Sequence, residues 1–247
     1  MEPVDRKLMD LKRFVLKHIA PATETARDAW VIKHILKLPR GESILDVGAG
    51  EMPYRKYCNH LKYKSHDFGK YSGVNVKVGI KSGKYDTKHV DIVSDITHIP
   101  VRKNSFDYVL CTEVLEHIPE PIDALEEIAR IDRKGLIITA PFASLTHFYP
   151  YFFYKGFSEQ FYRVNLPKFG YKIKELFTYG NYFDLLGLEL LRLPLMIIEY
   201  RKPLLPVGIL VLLPAVPLYF FIRLLSRLFS QSSSVFCFGI CVFARKI

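Results

Sequence analysis

The sequence predicts an α/β fold: a mostly parallel sheet with helices on both faces. Three observations carry that expectation. Short apolar runs alternate with segments of helical periodicity, several of the runs stop at an aspartate, and the first feeds directly into a glycine turn. Parallel strands read as near-continuous apolar runs because the crossover helices bury both of their faces. A length of 247 residues suits one such domain with some decoration.

Taken in order, residues 5–37 read as two helices broken at Pro21, the second carrying Trp30, Ile32, Ile35 and Leu36 with Thr23 or Thr25 as its cap. Ser43–Val47 is the first strand and ends in Asp46-Val47-Gly48-Ala49-Gly50. Glu51-Met52-Pro53 then opens a helix, proline being suited to a first turn that needs no amide donor. Leu61–His66 is a second strand, stopping at Asp67, and 69–89 is a loop rich in glycine and lysine. Asp91–Ser94, Phe106–Cys111 and Gly135–Ala140 are the third, fourth and fifth strands, with a helix over Ile122–Ile131. Tyr171–Phe177 and Ser234–Ala244 are the last two strands. The expected organisation is 1–40 helical lead-in, 41–182 core, 183–233 hydrophobic helical insert and 234–247 final core strand.

With 49% hydrophobic and 24% charged residues, the composition excludes global disorder. The four cysteines form no CxxC pair, and Met1–Lys12 is charged with no apolar run. A reducing cytoplasm is therefore expected, without a disulfide framework. The net charge of +10 is uneven: no acidic residue follows Glu199, and Arg201, Lys202, Arg223, Arg227, Arg245 and Lys246 supply six of the excess charges. Four of them flank an apolar run, which reads as attraction to anionic lipid rather than a nucleic-acid groove.

Gly48 and Gly50 let the backbone approach a ligand closely, and amides following such a turn attract anions. Pro53 stands where a dinucleotide-binding turn would have its third glycine, which argues against NAD and FAD. Asp67 lies where a carboxylate accepts from both ribose hydroxyls, and Asp95 is followed by apolar Ile96 and Ile99, suited to an adenine. Either aspartate alone is ordinary turn chemistry; the ordered set is not.

Ile44–Gly50, Asp95 with Ile-Thr-His-Ile-Pro, and Ser105–Ile118 together resemble class I S-adenosylmethionine-dependent methyltransferases, in the branch acting on small molecules, lipids and glycans. The resemblance spans roughly 41–145. It implies a Rossmann-like seven-stranded sheet whose last strand is antiparallel, with S-adenosyl-L-methionine as cofactor. It further implies that Asp46, Gly48 and Gly50 cradle the cofactor's amino-acid end and Asp67 its ribose. Asp95 and Ile96 would contact adenine, and Thr112 and Glu113 would line the cleft. Cys-Thr-Glu-Val stands where a nucleic-acid methyltransferase would carry an Asn-Pro-Pro-Tyr-type motif, so no nucleic-acid partner is expected.

Methyl transfer depends mainly on alignment of donor and acceptor. Where the acceptor must lose a proton, His147 and His117 are the candidate bases, His147 preferred because it follows the fifth strand. Glu116 beside His117 shows no third ligand in the sequence, so no metal is expected. The aromatic run from Phe148 to Tyr162 suits an acceptor wall, an interfacial belt or core.

Pro203–Ile222 contains no charge and is long enough to span a bilayer. A single crossing would strand the final strand on the far side, and Pro203, Pro206, Pro214 and Pro217 break a straight helix. The expectation is a helical hairpin whose tip dips into one leaflet, with Arg223 and Arg227 meeting lipid phosphates. The expected function is methylation of a membrane-resident or lipid-linked acceptor at the inner face of a membrane. The alternatives are a soluble small molecule or glycan precursor, with the insert serving a homodimer, and a non-catalytic cofactor-binding scaffold.

Overall fold

A computed structural model of the chain describes residues 23–73, 78–80 and 86–247. The expected first helix, before Pro21, and parts of the 69–89 loop lie outside the described residues. The described residues divide into two compact units, one of residues 27–178 with 239–247 and one of 23–26 with 179–238.

The first unit holds the sheet. After α1 (Thr23–Leu36) come β1 (Ser43–Val47), β2 (Lys62–Asp67), β3 (Ile92–Val93), β4 (Phe106–Thr112), α2 (Pro121–Ile131), β5 (Asp132–Pro141), α3 (Glu159–Lys168), β6 (Tyr171–Tyr179) and β7 (Gly239–Lys246). The seven strands lie in the order β3-β2-β1-β4-β5-β7-β6. β1 is parallel to β2 and β4, β2 to β3 and β4 to β5, while β7 runs antiparallel to β5. This is the Rossmann-like, mostly parallel sheet expected, with the reversed strand last.

The core follows the apolar runs: Ile44, Leu45, Val47, Val109, Leu110, Leu136, Ile137 and Ile138 are fully buried. α2 buries Ala124, Leu125, Ile128 and Ile131, the i, i+4, i+7 pattern of a helix with one inward face. α1 is tied to the edge strand by its tryptophan: the Trp30 indole N–H donates to Glu175 Oε1 at 2.7 Å, and the ring stacks parallel to Phe177.

Three expectations about this unit need correction. No α-helix begins at Glu51: Met52 adopts φ 55°, which interrupts helical geometry, and only a 3-10 turn, Arg55–Tyr57, follows. β3 is two residues long, an edge strand whose Val93 is exposed. The final strand starts at Gly239 rather than Ser234, because the serine run forms a 3-10 turn over Ser230–Ser234.

The second unit is a helical hairpin, α4 (Tyr182–Tyr200) and α5 (Leu205–Leu228), joined by a 3-10 turn at Lys202–Leu204. Asn181 and Asp184 form a reciprocal capping box at the start of α4. Leu191, Leu195 and Tyr219 form the seam, flanked by Leu190 and Val216. Gly187 permits the close approach, since a Cβ there would sit 3.1 Å from the Tyr219 ring. A buried polar latch closes the open end: Asp184 Oδ1 accepts from Ser226 Oγ at 2.7 Å and from Arg223 at 2.9 Å, and Asn181 donates to Ser226.

Two expectations change here as well. Pro214 and Pro217 sit inside one continuous helix instead of breaking it. A proline inside a helix costs roughly 3 kcal/mol; Val216 and Tyr219, beside these two, are seam residues held by α4. The Arg223 guanidinium faces Asp184 and is therefore committed to the latch, whereas Arg227 is exposed.

Candidate active site

Strand order reverses between β1 and β4, and in an open parallel sheet the crevice for a ligand lies outside the carboxyl ends of the strands at such a point. The expected site residues occupy those ends. Gly48 and Gly50 follow β1, Asp67 ends β2, Asp95 and Ile96 follow β3, and Thr112 and Glu113 close β4.

Asp67 fixes the glycine turn. Its Oδ2 accepts from the Gly50 amide at 3.1 Å and its Oδ1 from the Gly69 amide at 2.9 Å, while the Ala49 amide donates to the His66 carbonyl. Each carboxylate oxygen retains a lone pair for a further donor. Gly48 and Gly50 both take positive φ, and a Cβ on Gly48 would lie 2.3 Å from Val114 Cγ2. Glycine is required at position 48 on both counts.

Asp46 lies beneath the turn, 1% exposed. Its Oδ2 accepts from the Tyr63 hydroxyl at 2.7 Å, and its Oδ1 is buried without a hydrogen-bond partner. Burial pushes its pKa up to about 7, the Tyr63 bond offsetting part of the rise and the neighbouring Asp67 adding to it. The Ser94 amide donates to the Asp67 carbonyl, bringing the β3 end alongside. Asp95 is exposed and caps its own turn, Oδ1 accepting from the Thr97 amide and hydroxyl; Ile96 and Ile99 are buried behind it.

On the other side of β1, Glu113 adopts φ 54°, a conformation costly for a non-glycine residue. It is held there from three directions. Its amide donates to the Thr139 carbonyl, its Oε1 accepts from Thr139 Oγ1, and its Oε2 pairs with Arg27 at 3.3 Å. Thr112, the last residue of β4, is half-buried opposite Thr139.

The two candidate bases, thirty positions apart, come together: the rings of His117 and His147 are 4.8 Å apart and nearly perpendicular. His117 Nδ1 lies 2.6 Å from the Tyr151 carbonyl and His147 Nδ1 lies 2.8 Å from the Leu145 carbonyl. A carbonyl only accepts, so each Nδ1 carries a proton, and in the neutral form of either ring the lone pair is on Nε2. Burial lowers the His117 pKa to about 4, with His147 contributing and the Tyr151 bond opposing. Phe148 and Phe152 flank both rings. Tyr151 also packs edge-on against Phe68, the residue after Asp67, so the histidine pair adjoins the Asp67 end of the crevice. In the remaining aromatic run, Phe157 and Tyr162 are core, while Tyr149, Phe153 and Tyr154 are exposed.

Sequence reasoning missed Tyr63 and Arg27, whose roles arise from pairings across strands and from α1 that no local motif records. It noticed Glu116 but found no third ligand. Glu116 is 1% exposed with Oε2 unpartnered, its Oε1 is 3.7 Å from His117 Nε2, and His147 completes a group. The premise for expecting no metal is therefore corrected: the third ligand-type residue is contributed by the loop after β5.

Residues 45–139 match the methyltransferase domain family. Sterol 24-C-methyltransferase of Schizosaccharomyces pombe is 27% identical over 122 residues, 46% of this chain and 31% of its own length. The chain spans about a quarter to a third of the length of the curated relatives it matches. Among solved structures, the [4+2]-cyclase SpnF superposes with a TM-score of 0.52 at 16% identity, covering 93% of this chain and 83% of that one. A methyltransferase-like protein of Bacillus halodurans superposes at 0.51 with 15% identity, covering 89% and 99%. These two likenesses show the fold; the domain match covers residues 45–139. The fold and the match over residues 45–139 are consistent with a class I methyltransferase domain, for which S-adenosylmethionine is the implied cofactor.

Proposed function

We propose that this chain transfers a methyl group from S-adenosylmethionine to a membrane-resident or lipid-linked acceptor. The observation that carries the methyltransferase reading is the glycine turn locked onto Asp67 at the carboxyl ends of β1 and β2. The residues there suit the cofactor: Asp67, Asp95 and Glu113 place carboxylates at the strand ends, which favours a cationic sulfonium. The orphaned Oδ1 of Asp46 is a buried acceptor still lacking a donor.

When bound, the cofactor supplies an activated methyl group. Asp67 accepts from its ribose, Asp95 and Ile96 meet its adenine, and Asp46, Gly48 and Gly50 hold its amino-acid end. Thr112 and Glu113 form the floor of the cleft. His147, with His117 beside it, offers its Nε2 to a proton leaving the acceptor, and Phe148 and Phe152 pack against its ring.

The lipid part of the reading rests on α5. It is long and apolar enough to cross a membrane, and Leu210, Leu213, Phe220, Phe221 and Leu224 are more than half exposed. An unbroken apolar face of that kind is uncommon on a soluble monomer. The hairpin topology favours insertion into one leaflet, with Arg227 at the headgroups, on the cytoplasmic side. The sterol methyltransferase is named for a lipid acceptor, which points the same way.

The test has two arms. Isothermal titration with S-adenosylmethionine should show one site, and label from the methyl donor should enter the organic phase of a lipid extract. Co-sedimentation with vesicles containing anionic phospholipid should fall when Leu210 and Leu213 become glutamate. Label appearing only in water-soluble products, with no vesicle binding, would overturn the acceptor assignment; no binding of the cofactor would overturn the enzyme.

A further inference from the structure

Glu116, His117 and His147 present one ligand atom each within 4.8 Å of one another, in a half-buried to buried setting. Three features make the group more than a chance meeting. Both imidazoles donate Nδ1–H to a backbone carbonyl, the outer interaction that metal-bound histidines nearly always make and that aims Nε2 at the ion. Glu116 is 1% exposed, and its Oε2 has no hydrogen-bond partner. Phe148 and Phe152 pack around the rings, giving the hydrophobic surround that keeps competing water from a bound ion.

We propose that Glu116, His117 and His147 bind a divalent transition-metal cation of the zinc class. Two imidazoles and one carboxylate are the ligand set of open sites, in which three protein ligands leave a position for water or a substrate oxygen. Imidazole selects zinc, cobalt or nickel over magnesium and calcium, which prefer all-oxygen shells. Metal–ligand bonds of about 2.0–2.1 Å require the donors to close to roughly 3.3 Å. Glu116 and His117 are already at 3.7 Å. His147 sits in a half-exposed loop that can supply the remaining movement.

Binding of the cation is independent of methyl transfer. Only its role rests on the proposed function: with the cation bound, both Nε2 lone pairs would be committed to it and the open position would take the acceptor oxygen, while the base role of His147 belongs to the metal-free protein.

The experiment uses the full chain, stripped with chelator and free of S-adenosylmethionine, titrated with Co²⁺. The expected result is one equivalent bound, with d–d absorption of a low-symmetry nitrogen/oxygen site, displaced by Zn²⁺. His147→Ala and Glu116→Gln should each weaken binding at least about tenfold; His98→Ala, an exposed histidine outside the cluster, should leave it unchanged. Glu116→Gln mimics the neutral acid in shape, so its thermal melt should match that of the parent protein. Absence of a one-equivalent site, or equal Co²⁺ binding by the parent, His147→Ala and Glu116→Gln, overturns the proposal. Co²⁺ binding without any S-adenosylmethionine binding leaves the metal site standing and sinks the methyltransferase reading; the reverse result does the opposite.

Discussion

Asp107 and Asp46 stand near opposite ends of the neighbouring parallel strands β4 and β1, both more than nine-tenths buried. Their surroundings are opposite. Asp107 accepts from the Ser43 amide and hydroxyl and from Arg133, and Lys134 Nζ is 3.1 Å away. Burial alone would raise its pKa, but these donors outweigh it and hold the carboxyl well below the usual range. Asp46 has a single donor, one orphaned oxygen and a pKa near 7. One carboxylate is built to complete the fold. The other is left incomplete, as expected where a ligand supplies the missing contacts.

The contrast can be broken most sharply at the turn above Asp46. Gly48→Ala places a methyl 2.3 Å from Val114 in a left-handed backbone conformation. Cofactor affinity should fall on the order of 100-fold or more, about 2.7 kcal/mol, by isothermal titration. Unchanged affinity would remove the turn from the cofactor site.

Asp46 itself predicts an unusual pH dependence. Its folded pKa is raised from the ordinary 3.8 to about 7, so the folded protein holds a proton that the unfolded chain releases. Its contribution to stability is present below pH 4 and is lost as pH rises towards 7, by up to about 4 kcal/mol. Urea melts of the ligand-free protein should show this decline, and Asp46→Asn should flatten it while weakening the cofactor. An unchanged slope in Asp46→Asn would show that other groups carry the dependence.

Asp107→Asn sharpens the comparison from the other end. It removes the charge that Arg133 and Lys134 face and should destabilise the fold by about 2–3 kcal/mol, with the loss visible above pH 4 and fading as acid protonates the parent carboxyl. Cofactor affinity of the folded fraction should not change. A change of affinity comparable to that of Asp46→Asn would mean the two ends of the sheet are not functionally distinct.

The strands were legible because burial on two faces demands mostly apolar residues: Ile44–Val47, Phe106–Cys111 and Leu136–Ala140 are each interrupted by a single polar residue, Asp46, Asp107 and Thr139. Gly48, Gly50 and Asp67 were legible for a similar reason, since a turn at a strand end restricts residue type. Less was readable where neighbours in space override local preference. Pro53 looked like a helix start until Met52 took a left-handed conformation, and Pro214 and Pro217 looked like breaks until the α4–α5 seam held the helix together.

Sequence alone thus determined the parallel strands, the glycine turn and the apolar stretch of the insert, which depend on periodicity and residue type over short spans; the antiparallel last strand was expected only from the resemblance. Tertiary structure decided which polar groups are satisfied and which are not. It set Tyr63 against Asp46 and Arg27 against Glu113, and it brought His147 back over Glu116 and His117. Hydrogen-bond partners and ligand clusters are formed by strand order and loop return, quantities that no local pattern encodes.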